Sequence, residues 1–241
     1  VRVLPVRVLG KCFGDTPDIN TAIRWAAGVS IPGLPTNPNP AKVINLSLGT
    51  GGPCFADDES AVAAAIARGA VVVAAAGNTA GRDAGSPANC PGVIGVAGLR
   101  HIGTKVGFSD LGSSIAIAAP GGNCVNLGAN DPCLYPILTT IDSGRQAPGS
   151  PAYSDAFNAS VGTSFSSPLV AGTAALLFSV KPTLTPTQVR TAMTSTARPF
   201  VARSAPADPT PTCQAPGNFD QLECYCTTST CGAGMVDANA A

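Results

Sequence analysis

Mostly apolar runs, the majority ended by glycine, predict the buried strands of a parallel sheet. The runs are Val3 to Leu9, Val43 to Leu48, Val71 to Ala76, Val93 to Ala97 and Ile115 to Ala118. A continuous apolar run such as Val71 to Ala76 is typical of parallel strands that are covered on both faces. Pro5 inside the first run indicates an edge strand, because proline has no N–H to donate to a neighbour.

Helical patterns lie between and after these runs. Helices are predicted at 18–27, 61–68, 164–180 and from 185 to about 194. Gly28 and Gly69 stand where helix C-caps belong. Thr185 and Gln188 have the spacing of a capping box around Pro186, a residue that suits the first helical position. Alternating strands and helices predict one α/β domain.

Two segments carry little regular pattern. Residues 122–149 are rich in glycine, proline and asparagine and contain one brief predicted strand, Ile137 to Ile141. Residues 199–232 are irregular and rich in cysteine, and a cysteine-rich insertion stapled by disulfides is expected at about 201–232.

Charge excludes several classes of partner. The 241 residues include 14 basic and 14 acidic side chains, and charged residues make up 12% of the chain. A chain without a basic run offers no electrostatic footprint for nucleic acid. The longest apolar stretches, 70–76 and 169–177, fall short of the roughly 20 residues that span a bilayer, so no membrane partner is expected. A start at Val1, without a signal segment, predicts a processed product.

The nine cysteines favour a disulfide-bonded, secreted and extracellular protein. A metal site is not predicted, because the chain has no CxxC spacing and His101 is its single imidazole. Nine is an odd number, so one thiol is expected to be free or bonded to a chain outside this sequence.

Two strand ends carry loops that could hold a ligand. Residues 47–49 and 75–78 follow two predicted strands, and the carboxyl ends of parallel strands gather at one edge of a sheet. Small residues and glycine there leave room against the backbone. Asn78 adds a side-chain amide to that space, although an ordinary turn residue is the alternative interpretation.

The segment from Gly162 to Pro168 predicts a sharp entry into a helix. Pro168 is expected in the first turn, where backbone amides have no intrahelical partner. Ser164 would then lie where free N–H groups favour negative charge, although an ordinary N-cap is the alternative. An oxyanion formed by attack of Ser164 could accept hydrogen bonds from its own N–H and from Asn78.

Four strings, VINLSLG, VVVAAAGN, IAIAAPGG and GTSFSSPLVAG, occur in this order and spacing. With them the chain resembles the subtilisin-like serine proteases, and VRVLGKC, SPANC and CGAGMVDA resemble secreted bacterial members. The resemblance implies a three-layer, doubly wound, mostly parallel sheet with helices on both faces. It also implies a serine endopeptidase that acts on polypeptide substrates through an acyl-enzyme.

The same resemblance assigns site residues. Ser164 is implied as the nucleophile and Asn78 as the oxyanion-hole donor. Substrate contacts are implied for Leu9, Gly10, Gly14, Ser47, Leu48, Gly49, Ala75, Ala76, Gly77 and Thr163. Among these, residues 9–14 resemble the edge strand that pairs with substrate backbone, and 47–49 with 75–77 resemble the walls of the primary specificity pocket.

The family's catalytic Asp and His precede the VRVLG strand, so the fold is expected to be incomplete at its N-terminus. Residues 1–241 are therefore expected to be the C-terminal portion of one peptidase domain, partnered by an N-terminal fragment of the same precursor. His101 and Asp110 fall in a hairpin and are interpreted as turn residues. A catalytically inactive, peptide-binding relative is the alternative.

The cysteine pairing is expected to include Cys124 with Cys133 and two bridges among Cys213, Cys224, Cys226 and Cys231. Cys54 is expected to bond Cys12 or Cys90, which leaves one thiol free or joined to the N-terminal part. The chemistry requires no cofactor. The resemblance makes structural calcium possible, but no run predicts its ligands.

Overall fold

A computed structural model describes residues 1–123, 135–144, 146–155, 160–203, 205 and 207–241. A four-stranded sheet forms its centre, in the order β1 (Val43–Leu46), β2 (Val71–Ala75), β3 (Ile94–Leu99) and β4 (Ile115–Pro120). Every neighbouring pair is parallel. These four strands confirm four of the five apolar runs that predicted strands.

Four helices accompany the sheet: α1 (Thr16–Ala26), α2 (Ala56–Ala67), α3 (Thr163–Val180) and α4 (Pro186–Ser195). The α2 helix begins five residues earlier than its alanine pattern predicted. The predicted capping box of α4 is confirmed, because Thr185 Oγ1 accepts from Gln188 N at 3.2 Å and Gln188 Oε1 accepts from Thr185 N at 2.9 Å.

The helices lie on both faces of the sheet, as predicted. Val72 and Ala74 of β2 point into a buried cluster with α1 and α2. Val71 and Val73 point the other way, into a cluster with α3 and α4. Successive strand side chains alternate between faces, so one fully apolar strand supplies both layers of the core.

The cysteine-rich segment covers β3 and β4 on the α1–α2 face. Its disulfides join Cys213 to Cys224 and Cys226 to Cys231, which confirms two bridges within this segment. All four of these cysteines are buried in a cluster with residues of β3 and β4. The segment is therefore held by two disulfides and also forms part of the hydrophobic core.

The remaining described cysteines resolve one open alternative. Cys54 bonds Cys90, and Cys12 is exposed and unbridged within the described residues. The expected pairing of Cys124 with Cys133 lies outside those residues.

One strand prediction was wrong and another was confirmed in part. Val3 to Leu9 forms no strand, and Val1 and Val3 are 92% and 86% exposed. An apolar run becomes a parallel strand only when a neighbour accepts its hydrogen bonds, and this run finds none among the described residues. The predicted strand near 137–141 is the first half of an antiparallel hairpin, β5 (Thr139–Asp142) and β6 (Pro151–Ser154). The pattern missed β6 because it starts at a proline and lacks a continuous apolar run.

Within the described residues, the 18-residue α3 is the one helix whose length and composition would suit a membrane span. It packs against all four strands of the sheet, and Val170, Ala174 and Phe178 are buried there. Its apolar character is that of a core helix.

Candidate active site

The chain brings Ser164 to the carboxyl edge of the sheet by running α3 back across the strands. There Ser47, which directly follows β1, donates its hydroxyl to the Ser164 carbonyl oxygen at 2.7 Å. The two predicted loops and the predicted helix start therefore meet, as the parallel topology requires.

Thr163 fixes the orientation of the Asn78 side chain. Asn78 Oδ1 accepts from the Thr163 backbone N and from Thr163 Oγ1, both at 2.9 Å. Thr163 is fully buried, and its hydroxyl oxygen also accepts from Gly77 N at 3.2 Å. Because the amide oxygen is engaged twice, the Nδ2 group of Asn78 is left as the available donor.

Gly162 leaves a gap beside this donor. Its φ is +135°, a value that side chains rarely adopt. A Cβ at this position would lie 3.4 Å from Asn78 Nδ2 and 3.7 Å from Ser164 N. The absent side chain therefore leaves a small space that borders both N–H donors.

Pro168 lies in the second turn of α3, not in the first turn as predicted, because the helix begins at Thr163. Proline lacks the N–H that would bond the carbonyl four residues earlier, which is that of Ser164. The Ser47 hydroxyl supplies the missing donor to that carbonyl. Because Pro168 has no N–H, the Ser164 carbonyl is free to accept from Ser47, and this hydrogen bond ties Ser164 to the loop after β1.

A set of polar side chains supports Ser47. Asn45 Nδ2 donates to Ser47 Oγ at 2.9 Å, and Ser167 Oγ donates to Asn45 Oδ1 at 2.7 Å. Ser47 Oγ and Ser167 Oγ are 3.2 Å apart, a contact without a hydrogen bond because both hydroxyl protons are donated elsewhere. Sequence reasoning missed Asn45 and Ser167, although both stand inside the strings that carried the resemblance.

The Ser164 hydroxyl itself is half-buried and donates to the Ser47 carbonyl at 3.4 Å. His101 lies in the turn after β3, where it is exposed and its ring centroid is 4.0 Å from that of Tyr135. Partial desolvation, together with the charge of Arg100, lowers the pKa of His101.

A cavity of about 250 Å³ opens next to Ser47, between α1 and the loop after β1. Five of the ten predicted substrate contacts line it: Leu9, Gly14, Ser47, Leu48 and Gly49. Gly10 instead exchanges backbone hydrogen bonds with Phe13 in a tight turn, so residues 9–14 form no edge strand. Ala75, Ala76 and Gly77 lie outside the lining.

Residues that sequence reasoning did not single out complete this cavity. Pro87 and Ser86 form part of its wall, and the buried Asp58 carboxylate accepts from Asn20 Nδ2 at 2.8 Å and from Ser86 Oγ at 2.5 Å. Asp58 stands near the start of α2 and Asn20 inside α1, so only the packing of these helices reveals the contact.

Asp110 corrects another interpretation. It is 3% exposed, and its carboxylate accepts from Thr79 and Arg82. Burial raises the pKa of the Asp110 carboxyl, against the opposing effect of the hydrogen bonds it accepts. The residue follows a turn at 107–108 and is not itself a turn residue, and its side chain accepts hydrogen bonds from the loop that carries Asn78.

The described residues assign no metal ligands. Three sulfur atoms, those of Cys213, Cys226 and Cys231, lie close enough together to hold an ion. All three belong to disulfides and therefore cannot act as thiolate ligands. Structural calcium stays a prediction without named ligands.

The known proteins that are similar to this chain belong to the family that its sequence strings resemble. The model of the Subtilase family matches residues 1–228. Over its full length the chain is 43% identical to an extracellular protease of Xanthomonas campestris and 35% identical to an extracellular basic protease of Dichelobacter nodosus. It spans 35% and 34% of those two proteins, about a third of each.

A solved structure of a Pseudoalteromonas arctica protease superposes on 99% of the chain with a TM-score of 0.80 and 40% identity. The chain covers 61% of that structure. The three-layer, mostly parallel architecture is therefore that of the structural relative.

Proposed function

The chain belongs to the subtilase family, and from this premise we propose that it is the nucleophile-bearing part of a secreted serine endopeptidase. The observation that carries the proposal is the coupling of Ser164 to Asn78 through Thr163. One buried threonine, adjacent to the nucleophile in the chain, orients the amide by two 2.9 Å hydrogen bonds. Peptide binding alone requires neither the serine nor the oriented amide.

The proposed reaction is acyl transfer. Ser164 Oγ attacks the scissile carbonyl carbon, and its proton passes to a general base. The carbonyl oxygen becomes an oxyanion that accepts from Asn78 Nδ2 and Ser164 N in the space that Gly162 leaves. The C–N bond then breaks as the base returns the proton to the leaving amine, and water releases the acyl group from Ser164.

The general base is proposed to be a histidine, oriented by an aspartate, from a segment outside these 241 residues. A serine nucleophile is weak without such a base. His101, the single imidazole of the chain, lies in the turn after β3, where its ring makes a tilted contact with that of Tyr135. The chain also covers only about a third of its curated relatives, which leaves room for such a segment.

The open edge of the sheet supports this arrangement. Among the described residues β1 pairs only with β2, and the predicted run 3–9 is largely exposed and pairs with no strand. On α3, Leu169, Leu176 and Val180 are 42%, 52% and 86% exposed. Such surface is suited to burial against a further segment of the same protein. Cys12, exposed and unbridged, is proposed to be a free thiol or to bond that segment.

Labelling with a fluorophosphonate probe tests the proposal. The full-length protein that contains this chain is treated with the probe and examined by mass spectrometry, reduced and non-reduced, beside Ser164→Ala. We expect the wild-type protein to carry one label, on Ser164, and to cleave a peptide substrate. The Ser164→Ala variant should carry no label and cleave nothing. Tight peptide binding without labelling would instead support the inactive, peptide-binding alternative. A mass shift on reduction decides whether Cys12 bonds a separate fragment.

A further inference from the structure

A buried carboxylate lies directly behind the loop that carries Asn78. Asp110 Oδ1 accepts from Thr79 N at 3.0 Å and from Arg82 N at 3.1 Å, and Oδ2 accepts from Thr79 Oγ1 at 2.7 Å. An ionised carboxylate accepts without donating, so it fits three donors that converge on one point. These bonds fix the backbone immediately after Asn78.

The backbone immediately before Asn78 is fixed by the same residue. Asp110 N donates to the Gly77 carbonyl at 3.0 Å. Gly77 has a φ of +115°, and a Cβ on it would lie only 2.3 Å from Asp110 Oδ2. The loop therefore rests against the carboxylate so closely that a side chain at position 77 would displace it.

Asp110 is itself anchored to the sheet. Ser109 Oγ accepts from Gly98 N of β3 and donates to the Asp110 carbonyl, both at 2.8 Å. The fully buried Lys105 clamps the preceding turn, because its Nζ donates to the carbonyls of residues 106, 107 and 109 at 2.9 to 3.1 Å. A continuous series of contacts thus runs from β3 through Asp110 to the loop that carries Asn78.

We propose that Asp110 is a positioning residue for the oxyanion site, acting through Asn78. This inference rests on the proposed function. The carboxylate fixes residues 77 and 79, and these determine where Asn78 Nδ2 lies relative to Ser164 N. Because the oxyanion forms only as the reaction proceeds, loss of this positioning lowers kcat and leaves KM nearly unchanged.

The test compares three variants of the full-length protein. In Asp110→Ala the Asn78 amide is present but displaced, and we expect kcat to fall on the order of 10- to 100-fold with KM within about twofold. Asp110→Asn retains one acceptor oxygen for the backbone amides and should recover most of that loss. Asp237→Ala is the control. Asp237 also accepts from two backbone amides, those of Asn239 and Ala240, but it follows the residues that pair with β4. We expect it to lower stability with kcat unchanged.

A double-mutant cycle separates positioning from general support of the fold. If Asp110 acts through Asn78, the variant Asn78→Ala/Asp110→Ala has the kcat of Asn78→Ala within about twofold. Losses that multiply would overturn the proposal, as would wild-type kcat in Asp110→Ala.

A spectroscopic readout decides the inference even if the proposed function fails. The side-chain amide resonance of Asn78 is assigned by its loss in Asn78→Ala. It should shift in Asp110→Ala and stay in place in Asp237→Ala. An unmoved resonance would overturn the positioning role, whereas absence of turnover and of probe labelling in the wild type would overturn only the proposed function.

Discussion

The two edges of the sheet differ in whether another segment of the chain forms backbone hydrogen bonds with them. At the β4 edge, a segment more than 100 residues later in the chain adds backbone hydrogen bonds, with Ala118 N donating to Gly234 O and Val236 N donating to Ala118 O, both at 2.9 Å. The disulfides of residues 213–231 lie in a buried cluster with residues of β3 and β4. At the β1 edge the described residues add no strand, and the predicted run 3–9 stays largely exposed.

The difference divides the candidate site. Asn78 follows β2 and Asp110 lies between β3 and β4, towards the closed edge, and hydrogen bonds join Asp110 to Gly77 and Thr79 on either side of Asn78. Ser47, which holds the Ser164 backbone, follows β1 at the open edge. The proposed oxyanion half of the site thus lies within these residues. The half that must accept the serine proton is proposed to come from a segment that meets the open edge.

The strongest challenge to this division is removal of the amide on the closed side. Asn78→Ala should lower kcat of the full-length protein on the order of 100- to 1,000-fold, the magnitude known for subtilisin itself, with KM nearly unchanged. Steady-state kinetics on a peptide substrate measures both values. Asn218→Ala, an exposed asparagine of the tail, is the control. A kcat within twofold of the wild type would remove Asn78 from the mechanism.

Disulfide removal compares the two sides by stability. Cys54–Cys90 lies on the β1 side and spans 36 residues, whereas Cys226–Cys231 lies in the tail and spans 5. Because a longer closed loop restricts the unfolded chain more, replacing the first pair with alanine should cost about 4 kcal/mol and replacing the second about 2 kcal/mol. Chemical denaturation measures both free energies of unfolding. The opposite order would mean that native packing, not loop length, sets these contributions.

The buried Lys105 on the closed side predicts a pH dependence. Burial lowers the pKa of Lys105 from its ordinary 10.5 to about 8, although the charge of Asp110 opposes this. Between these two values the unfolded chain binds more protons than the native one, so the free energy of unfolding rises with pH. Relative to Lys105→Met, the wild type should gain up to about 3 kcal/mol between pH 8 and 10.5.

Denaturant titrations across that range check this gain. Lys42→Met, an exposed lysine at the β1 edge, is measured alongside as the matched control. An unchanged difference between the wild type and Lys105→Met would contradict the prediction.

The smallest expected effect concerns a helix start. Thr185→Ala removes the capping box of α4 and should cost about 1 kcal/mol, because first-turn amides lose their side-chain acceptor. Thermal unfolding measures the change. Thr191→Ala, on the exposed face of the same helix, should be neutral or slightly stabilising. Equal losses in both variants would show that the cap makes no separate contribution.

Local sequence patterns predicted much of this fold and singled out two side chains of the candidate site, Ser164 and Asn78. The four sheet strands and the α4 cap depend on residues that are close in sequence, and the pattern found them. The apolar run 3–9 failed as a strand because pairing requires a distant neighbour. Pro168 was placed one turn too early, since glycine at position 162 and not the proline marks the helix start.

The sequence by itself determined that Ser164 stands at a helix start, that Asn78 follows a buried strand, and that the chain resembles the subtilases. Tertiary structure alone decided which groups hold these two residues. Ser47 reaches the carbonyl that Pro168 leaves without a donor, and Asp110 lies against Gly77. These contacts join residues 33 to 117 positions apart, and no periodicity or propensity records such distances because hydrogen bonds of this kind depend on how the whole chain packs.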